Sequence, residues 1–128
     1  MTVDAIFNNI EKWYDPRKKE RQKLFYEVFT EVIRDLHNGK KIEPEKTRYW
    51  DYLKGYHESW RQESLTRRAY KQLMAKFMSG INLYHNIKKN GIKDPLNTAV
   101  INGKKFLHTG NRRLVIAHIL GIKEVEVK

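Results

Sequence analysis

The chain has 128 residues, of which 40% are hydrophobic and 32% charged, values typical of one folded domain rather than a disordered segment. It contains no cysteine, so disulfide bonds, a cysteine nucleophile and thiolate metal ligands are excluded. The formal net charge of +11 favours polyanionic partners such as nucleotides, DNA or RNA. No apolar run approaches the roughly 18 residues needed to span a bilayer, and the first residues lack a signal-peptide pattern. We therefore expect a cytoplasmic protein with no membrane partner.

Two helices are predicted before residue 40. Asp4 is the expected N-cap of a short first helix, on which apolar residues from Ile6 to Tyr14 recur at helical spacing. Asp15 and Pro16 predict the start of the second helix, because proline is tolerated at the first helical position. This helix carries an unbroken apolar stripe and ends at Asn38-Gly39. The stripe consists of Leu24, Phe25, Val28, Phe29, Val32, Ile33 and Leu36.

The segment 17–23, at the start of the second helix, carries five positive charges. A helix N-terminus favours acidic residues, so this arrangement opposes the helix dipole. Contact with a polyanion and a solvated surface are both compatible with it. The solvated surface is the more common explanation for a run of charges.

An aromatic connecting segment occupies the middle of the chain. Glu43 is expected to be extended because the residue before a proline avoids the α region. The aromatic residues that follow fit either stacking on nucleic-acid bases or packing in the core, and we expect core packing. The aromatic and aliphatic residues near helical spacing are Tyr49, Tyr52, Leu53, Tyr56 and Trp60, with Trp50 offset and Gly55 interrupting.

A long helix follows, for which Ser64 or Thr66 is the expected N-cap. Ser79-Gly80 is a candidate position for a kink or a break. Gly91 is expected to end the helix in a left-handed conformation. The apolar side of this helix consists of Tyr70, Leu73, Met74, Phe77, Met78, Ile81 and Tyr84, with Ile87 as a further candidate.

After Gly91 the apolar spacing changes from helical to strand-like. Asn102-Gly103 predicts a two-residue hairpin turn, because both central positions of a type I′ turn need a positive φ. The predicted elements are strands at 96–101 and 104–108, a helix at 112–120 ending before Gly121, and a closing strand at 122–127. The predicted fold class is therefore α+β, with residues 1–40 as an N-terminal helical extension and residues 41–128 as a compact domain.

The junction between the hairpin and the last helix is the predicted anion site. Its sequence is Thr109-Gly110-Asn111-Arg112-Arg113. The first N–H groups of a helix lack partners and carry partial positive charge, so they suit a phosphate. Gly110 permits close approach of the backbone, and the two arginines add forked donors that match phosphate oxygens. His108 directly precedes the turn, where a bound phosphate would favour its protonated form.

The segment from Ser79 to Val127 resembles the ParB/sulfiredoxin superfamily. The shared pattern is a helix ending in glycine, Pro-Leu, two strands, Gly-x-Arg-Arg, a helix, Leu-Gly and a valine-rich strand. The residues that carry the resemblance are Gly91, Pro95, Leu96, Gly110, Arg112, Arg113, Ala117, Leu120, Gly121 and Val125. The resemblance implies a β-hairpin/helix/strand unit that binds a nucleoside triphosphate, often with Mg²⁺. Gly110, Arg112 and Arg113 would hold the phosphates, with Thr109 and Asn111 beside them.

Two departures from the family pattern bear on the chemistry. The position of Asn111 holds cysteine in sulfiredoxin-like proteins and usually glutamate in partitioning proteins. Sulfinic-acid reduction is therefore excluded, and nucleotide hydrolysis through a carboxylate at this position is disfavoured. No helix-turn-helix region follows the last strand, so we expect a stand-alone ParB-like domain.

Lys46, Thr47 and Arg48 are a candidate replacement for the first nucleotide-binding box of that family. Glu43 and Glu45, which flank Pro44, are the acidic residues to test as a base or a Mg²⁺ ligand. Asp94 precedes Pro95, and formation of a turn explains it. The five histidines show no metal-ligand spacing.

The leading prediction is a domain that binds a nucleoside triphosphate at the Thr109–Arg113 turn without fast turnover. A basic nucleic-acid-binding or nuclease-like protein is one alternative, favoured by the net charge and by the aromatic and basic segment 48–68. A small-molecule phosphotransferase is another, by analogy with a serine kinase of the same superfamily. The sequence assigns no catalytic residue.

Overall fold

The computed structural model of the chain describes residues 1–56 and 67–128. Over these residues the chain forms five α-helices, two short 3₁₀ turns and one antiparallel hairpin. The helices are α1 (Val3–Phe7), α2 (Lys19–His37), α3 (Arg48–Tyr56), α4 (Arg67–Asn90) and α5 (Asn111–Leu120). The 3₁₀ turns are Ile10–Trp13 and Pro44–Lys46, and the strands are β1 (Asn97–Ile101) and β2 (Lys104–Thr109). The predicted α+β class with a helical N-terminal part is confirmed.

The starts of the first two helices differ from the prediction. Thr2 caps α1, since its hydroxyl oxygen accepts the N–H of Ala5 at 3.3 Å, and Asp4 lies inside the helix. Helix α2 begins at Lys19 rather than at Pro16. The carboxylate of Asp15 instead accepts the backbone N–H of Arg17 at 2.9 Å and also bonds its guanidinium group. This local turn occupies the residues that a longer helix would have used.

The apolar stripe of α2 forms one side of the hydrophobic core. Val28, Phe29, Val32 and Ile33 are buried as predicted, whereas Leu24 is 40% exposed. The buried surface is wider than the stripe, because it also includes Tyr26 and Thr30. The helix ends at the predicted place, with Gly39 in the left-handed region at a φ of +77°.

Helix α3 passes through Gly55 and packs between α2 and α4. The prediction of core packing is confirmed for Tyr49, Trp50 and Leu53, which are buried. Trp60 and the two candidate N-caps, Ser64 and Thr66, lie outside the described residues.

Helix α4 runs undivided through Ser79 and Gly80. Gly80 serves a packing purpose, since a Cβ there would lie 2.9 Å from Cε1 of Phe29 on α2. Gly91 ends the helix at a φ of +74°, as predicted. The hairpin turn is also confirmed, with positive φ values of 50° at Asn102 and 78° at Gly103.

The closing segment 122–127 does not form the predicted regular strand. It makes one antiparallel bridge between Thr2 and Glu124 and one parallel bridge between Leu96 and Val127. The segment pairs with two different partners over a short length, so neither ladder extends. Backbone hydrogen bonds nevertheless hold it on both sides, from Val3 N–H to Lys123 O at 2.8 Å and from Leu96 N–H to Glu126 O at 2.8 Å.

Helix α5 lies at the centre of the fold, in contact with α1, α2 and α4. Four consecutive residues, Leu114 to Ala117, are buried, as expected for a helix surrounded by other elements. Residues 1–40 contribute Val3, Ile6 and Phe29 to the same hydrophobic cluster that α5 joins. Among the described residues, no helix combines the length and apolar character required to cross a membrane.

Candidate functional site

The predicted anion site lies where β2 ends and α5 begins. Gly110 is the N-cap of α5, with a φ of +100°, and it offers no side chain to accept the first N–H groups of the helix. A Cβ at this position would lie 2.5 Å from Cδ2 of Leu96 and 3.2 Å from Nη2 of Arg113. Glycine is therefore required both by the backbone conformation and by the space available.

A cavity of about 950 Å³ opens in front of this turn. Its walls come from the start of α2, from α3, from the middle of α4 and from the first residues of α5, together with Asp94. The cationic side chains that line it are Lys18, Arg21, Lys76, Arg112 and Arg113. The aromatic side chains that line it are Phe25, Tyr49, Tyr52 and Tyr56.

The charges of the described residues that line the cavity are unbalanced. Five cationic side chains face one carboxylate, that of Asp94, among the described residues that line it. None of the five cations lies within 4.0 Å of a carboxylate oxygen in the described part of the chain. Like charges gathered around a concave surface raise the local concentration of anions. The geometry therefore suits an anionic ligand.

The two arginines of the turn have different neighbours. Arg113 donates from Nη1 to the backbone oxygens of Asp94 at 2.7 Å and Pro95 at 3.2 Å, which ties α5 to the segment before β1. Arg112 donates from Nη1 to the hydroxyl oxygen of Ser79 on α4, at 3.1 Å. Arg113 therefore has a structural role in addition to its position at the cavity, whereas the one hydrogen bond of Arg112 within the described residues goes to a neutral hydroxyl across it.

The side chain of Asn111 is held by α2. Its Oδ1 accepts a hydrogen bond from the hydroxyl group of Tyr26. Burial raises the pKa of Tyr26 well above its ordinary value, so the hydroxyl stays protonated and remains a donor. Asn111 therefore lies at the cavity with its acceptor oxygen already engaged.

Tyrosine side chains form the aromatic wall. Tyr49 and Tyr52 have ring centroids 6.2 Å apart and nearly parallel planes. Burial raises the pKa of Tyr49 to about 12, against the opposing effect of nearby Arg112. Burial likewise raises the pKa of Tyr52, so both phenols are neutral at physiological pH. Tyr56 is 45% exposed, and both Arg21 and Lys76 approach its ring, at 4.4 and 5.4 Å from the centroid.

Of the predicted site residues, Gly110, Asn111, Arg112 and Arg113 line the cavity. Thr109 and His108 are exposed and do not line it. The hydroxyl oxygen of Thr109 accepts from Nδ2 of Asn97 at 3.0 Å, and the ring of His108 packs edge-on near Phe106.

The candidate first box also lies away from the cavity. Lys46 forms an ion pair with Glu43 at 3.2 Å, and the hydroxyl oxygen of Thr47 accepts the N–H of Trp50 at the start of α3. Arg48 forms ion pairs with both Glu27 and Glu31 on α2, at 3.1 and 2.8 Å. The carboxylate of Glu45, the other acidic candidate, accepts from the hydroxyl of Tyr70.

Sequence reasoning missed three cations of the cavity and underestimated Asp94. Lys18 and Arg21 belong to the basic segment 17–23, whose conflict with the dipole of α2 was the one available indication. Lys76 gave no such indication, because an isolated lysine on a helix is ordinary. Within residues 1–56 and 67–128, no group of three or more histidine, aspartate or glutamate side chains is placed to hold a metal ion.

Comparisons with protein-family models, with curated protein sequences and with solved structures find no match to this chain.

Proposed function

We propose that the cavity binds a nucleoside triphosphate. The observation that carries this proposal is the meeting of five cationic side chains and a tyrosine wall in one cavity at the glycine-led start of α5. The phosphates of a nucleotide need cationic groups and its base needs an aromatic surface, so a nucleotide needs the two side by side. The resemblance of segment 79–127 to ParB/sulfiredoxin domains supports the same ligand class.

The phosphate chain would lie at the start of α5. The first N–H groups of α5 receive no capping side chain from Gly110, so a phosphate oxygen can accept hydrogen bonds from them. Arg112 adds a forked donor, and Lys18 and Lys76 add compact charges from the opposite walls. The ligand would thus be held from three helices at once.

The base would lie against Tyr52 and Tyr56, the part of the tyrosine wall that is not buried. Neutral aromatic rings accept a base by stacking, which contributes about 1 to 3 kcal/mol per base. A volume of about 950 Å³ is at the upper end of the roughly 300 to 1,000 Å³ typical of small-molecule sites. A nucleotide with its full phosphate chain is a ligand of suitable size.

The described residues of the cavity offer one carboxylate that suits Mg²⁺, that of Asp94. This ion commonly takes one or two carboxylates together with phosphate oxygens. Asp94 is the carboxylate that would hold it, and the bound ion would neutralise phosphate charge. Asn111 cannot act as a carboxylate base, and its Oδ1 is engaged by Tyr26, which favours binding over rapid hydrolysis.

Titration calorimetry with ATP, GTP, CTP and UTP, with and without Mg²⁺, tests the proposal. We expect at least one nucleotide to bind and Arg112→Ala to weaken it by roughly 10-fold or more, because a charge-assisted hydrogen bond is lost. Arg34→Ala is the matched control, since Arg34 is exposed and lies outside the cavity. Absence of binding by all four nucleotides, or equal losses in the two variants, would overturn the proposal.

A further inference from the structure

We infer that the site receives the end of a single-stranded nucleic acid, whose chain continues from the cavity along the basic start of α2. This inference rests on the proposed function and extends it from one nucleotide to a polynucleotide. It begins from a second depression of about 670 Å³, lined by Pro16, Arg17, Lys18, Lys19, Glu20 and Arg21. Lys18 and Arg21 line both the cavity and this depression, so the two adjoin at these side chains.

Among the described residues, the second depression is lined by four cations and one carboxylate, that of Glu20. Arg17 is neutralised by Asp15, with Nη2 and Oδ2 2.9 Å apart. Lys18, Lys19 and Arg21 form no ion pair within the described part of the chain. They lie at the N-cap and first turn of α2, where positive charge opposes the helix dipole and lowers stability. A local arrangement that disfavours the fold is expected at functional sites.

A phosphate backbone would relieve this conflict. It would place negative charge next to the unfavourably placed cations and would release their counterions. Arg21 already lies over the ring of Tyr56, at 4.4 Å from the centroid, which holds one cation at the boundary between the two depressions. A chain passing that point would meet a positive charge and an exposed aromatic ring together, the combination that single-strand-binding proteins use.

The aromatic wall selects a single strand over a duplex. A base can reach Tyr52 and Tyr56, the two tyrosines of the wall that are not buried, only when it is unpaired and unstacked. An acidic peptide would satisfy the cations but would leave the tyrosine wall without a flat aromatic partner. The terminal nucleotide in the cavity and the following phosphates along Lys18, Lys19 and Arg21 use both surfaces.

The test compares one nucleotide with a short strand. Fluorescence anisotropy would measure the affinities of labelled DNA and RNA single strands of eight nucleotides. Calorimetry would measure the affinity of the nucleoside triphosphate that binds most tightly. Both measurements would be made at two salt concentrations. Lys19→Ala is the informative variant, because Lys19 lines only the second depression. Lys23→Ala, on the same helix but outside both depressions, is the matched control.

We expect the strands to bind more tightly than the mononucleotide, with a steeper salt dependence. Lys19→Ala should weaken strand binding by roughly 3- to 10-fold and lower the salt slope by about 0.7, the value for one phosphate contact on a single strand. It should leave mononucleotide affinity unchanged, and Lys23→Ala should change neither. A preference between the DNA and RNA arms would identify which sugar the site accepts.

Strands that bind no more tightly than the mononucleotide, or a Lys19→Ala variant equal to Lys23→Ala, would overturn the inference and leave the proposed function intact. Strand binding without any mononucleotide binding would overturn the proposed function. It would also overturn the inference in its present form, since no terminal nucleotide would then be held in the cavity.

Discussion

The hydroxyl group of Tyr26 donates a hydrogen bond to the side-chain oxygen of Asn111 and so joins the middle of α2 to the first residue of α5. The two residues are 85 positions apart in the chain, and the bond forms in a part-buried environment. Tyr26 does not line the cavity, but its hydrogen bond fixes the orientation of Asn111, which does. An asparagine held in this way is an element of the framework of the site.

Tyr26→Phe should lower the free energy of unfolding by about 1 kcal/mol, the net value of one hydrogen bond. Urea unfolding would measure the change. Tyr14→Phe is the matched control, because Tyr14 is also buried and stacks on Tyr26 at 5.8 Å, yet its hydroxyl group makes no hydrogen bond with the described residues. Equal losses in the two variants would contradict the assigned bond.

Gly110→Ala should be strongly destabilising, by roughly 3 kcal/mol. The new Cβ would lie 2.5 Å from Cδ2 of Leu96, which is fully buried, and it would also strain a backbone at φ +100°. Gly121→Ala provides the comparison, since Gly121 has a φ of +77° and open space around it. That variant should lose only the strain, about 1 kcal/mol. Thermal or urea unfolding distinguishes the two, and similar losses would count against the steric argument.

Arg113→Ala should cost more stability than Arg112→Ala. Arg113 donates to two backbone oxygens of the segment before β1, and loss of these bonds should cost about 1 to 2 kcal/mol. Within residues 1–56 and 67–128, Arg112 makes one hydrogen bond, to the exposed hydroxyl of Ser79, so its removal should cost less than about 1 kcal/mol. Unfolding curves of both variants would check the order, and the reverse order would show that Arg112 has a structural role.

The carboxyl group of Asp15 should contribute to the acid sensitivity of the fold. Hydrogen bonds from the side chain of Arg17 lower the pKa of Asp15 from 3.8 to about 2. A folded-state pKa below the unfolded value means that the contribution is complete above about pH 4 and is lost as the pH falls towards 2. In Asp15→Asn, stability between pH 4 and pH 2 should therefore fall less steeply than in the unmodified protein. Parallel slopes over that interval would contradict the assignment.

The elements with strong periodicity were predictable from the sequence. The stripe from Leu24 to Leu36 marked α2 because only a helix places those residues on one side. Gly39, Gly91, Asn102 and Gly103 marked the ends and turns, since all four adopt a positive φ. The helix ends and the hairpin turn depend on the residue type at these positions, so the local sequence predicts them.

The helix starts and the closing segment were not predictable, because they depend on competing partners. Aspartate is favoured at N-caps, but the carboxylate of Asp15 accepts hydrogen bonds from the side chain of Arg17 instead. Segment 122–127 has the composition of a strand, but its backbone hydrogen bonds are divided between the N-terminal residues and Leu96. A sequence pattern does not reveal which of several partners a polar group will find.

The candidate site was predictable in part. The turn from Gly110 to Arg113 was recognisable because a glycine at a helix start followed by arginines has a local chemical meaning. Lys76 and the tyrosine wall join it only through the packing of α3 and α4 against the rest of the fold. The first box at Lys46 to Arg48 remains a prediction. The structure places these residues in ion pairs and a helix cap outside the cavity.

The bridge between Thr2 and Glu124 has a consequence for the order in which the fold forms. Val3 donates its N–H to Lys123, and Val125 donates to Met1, so the first residues of the fold find their backbone partners 120 and 124 positions away in the sequence. Closing such long loops costs conformational entropy, so Val3 and Ile6, which are buried in the fold, should be covered late in folding. During refolding, α1 should accordingly be the last helix to gain protection from hydrogen exchange.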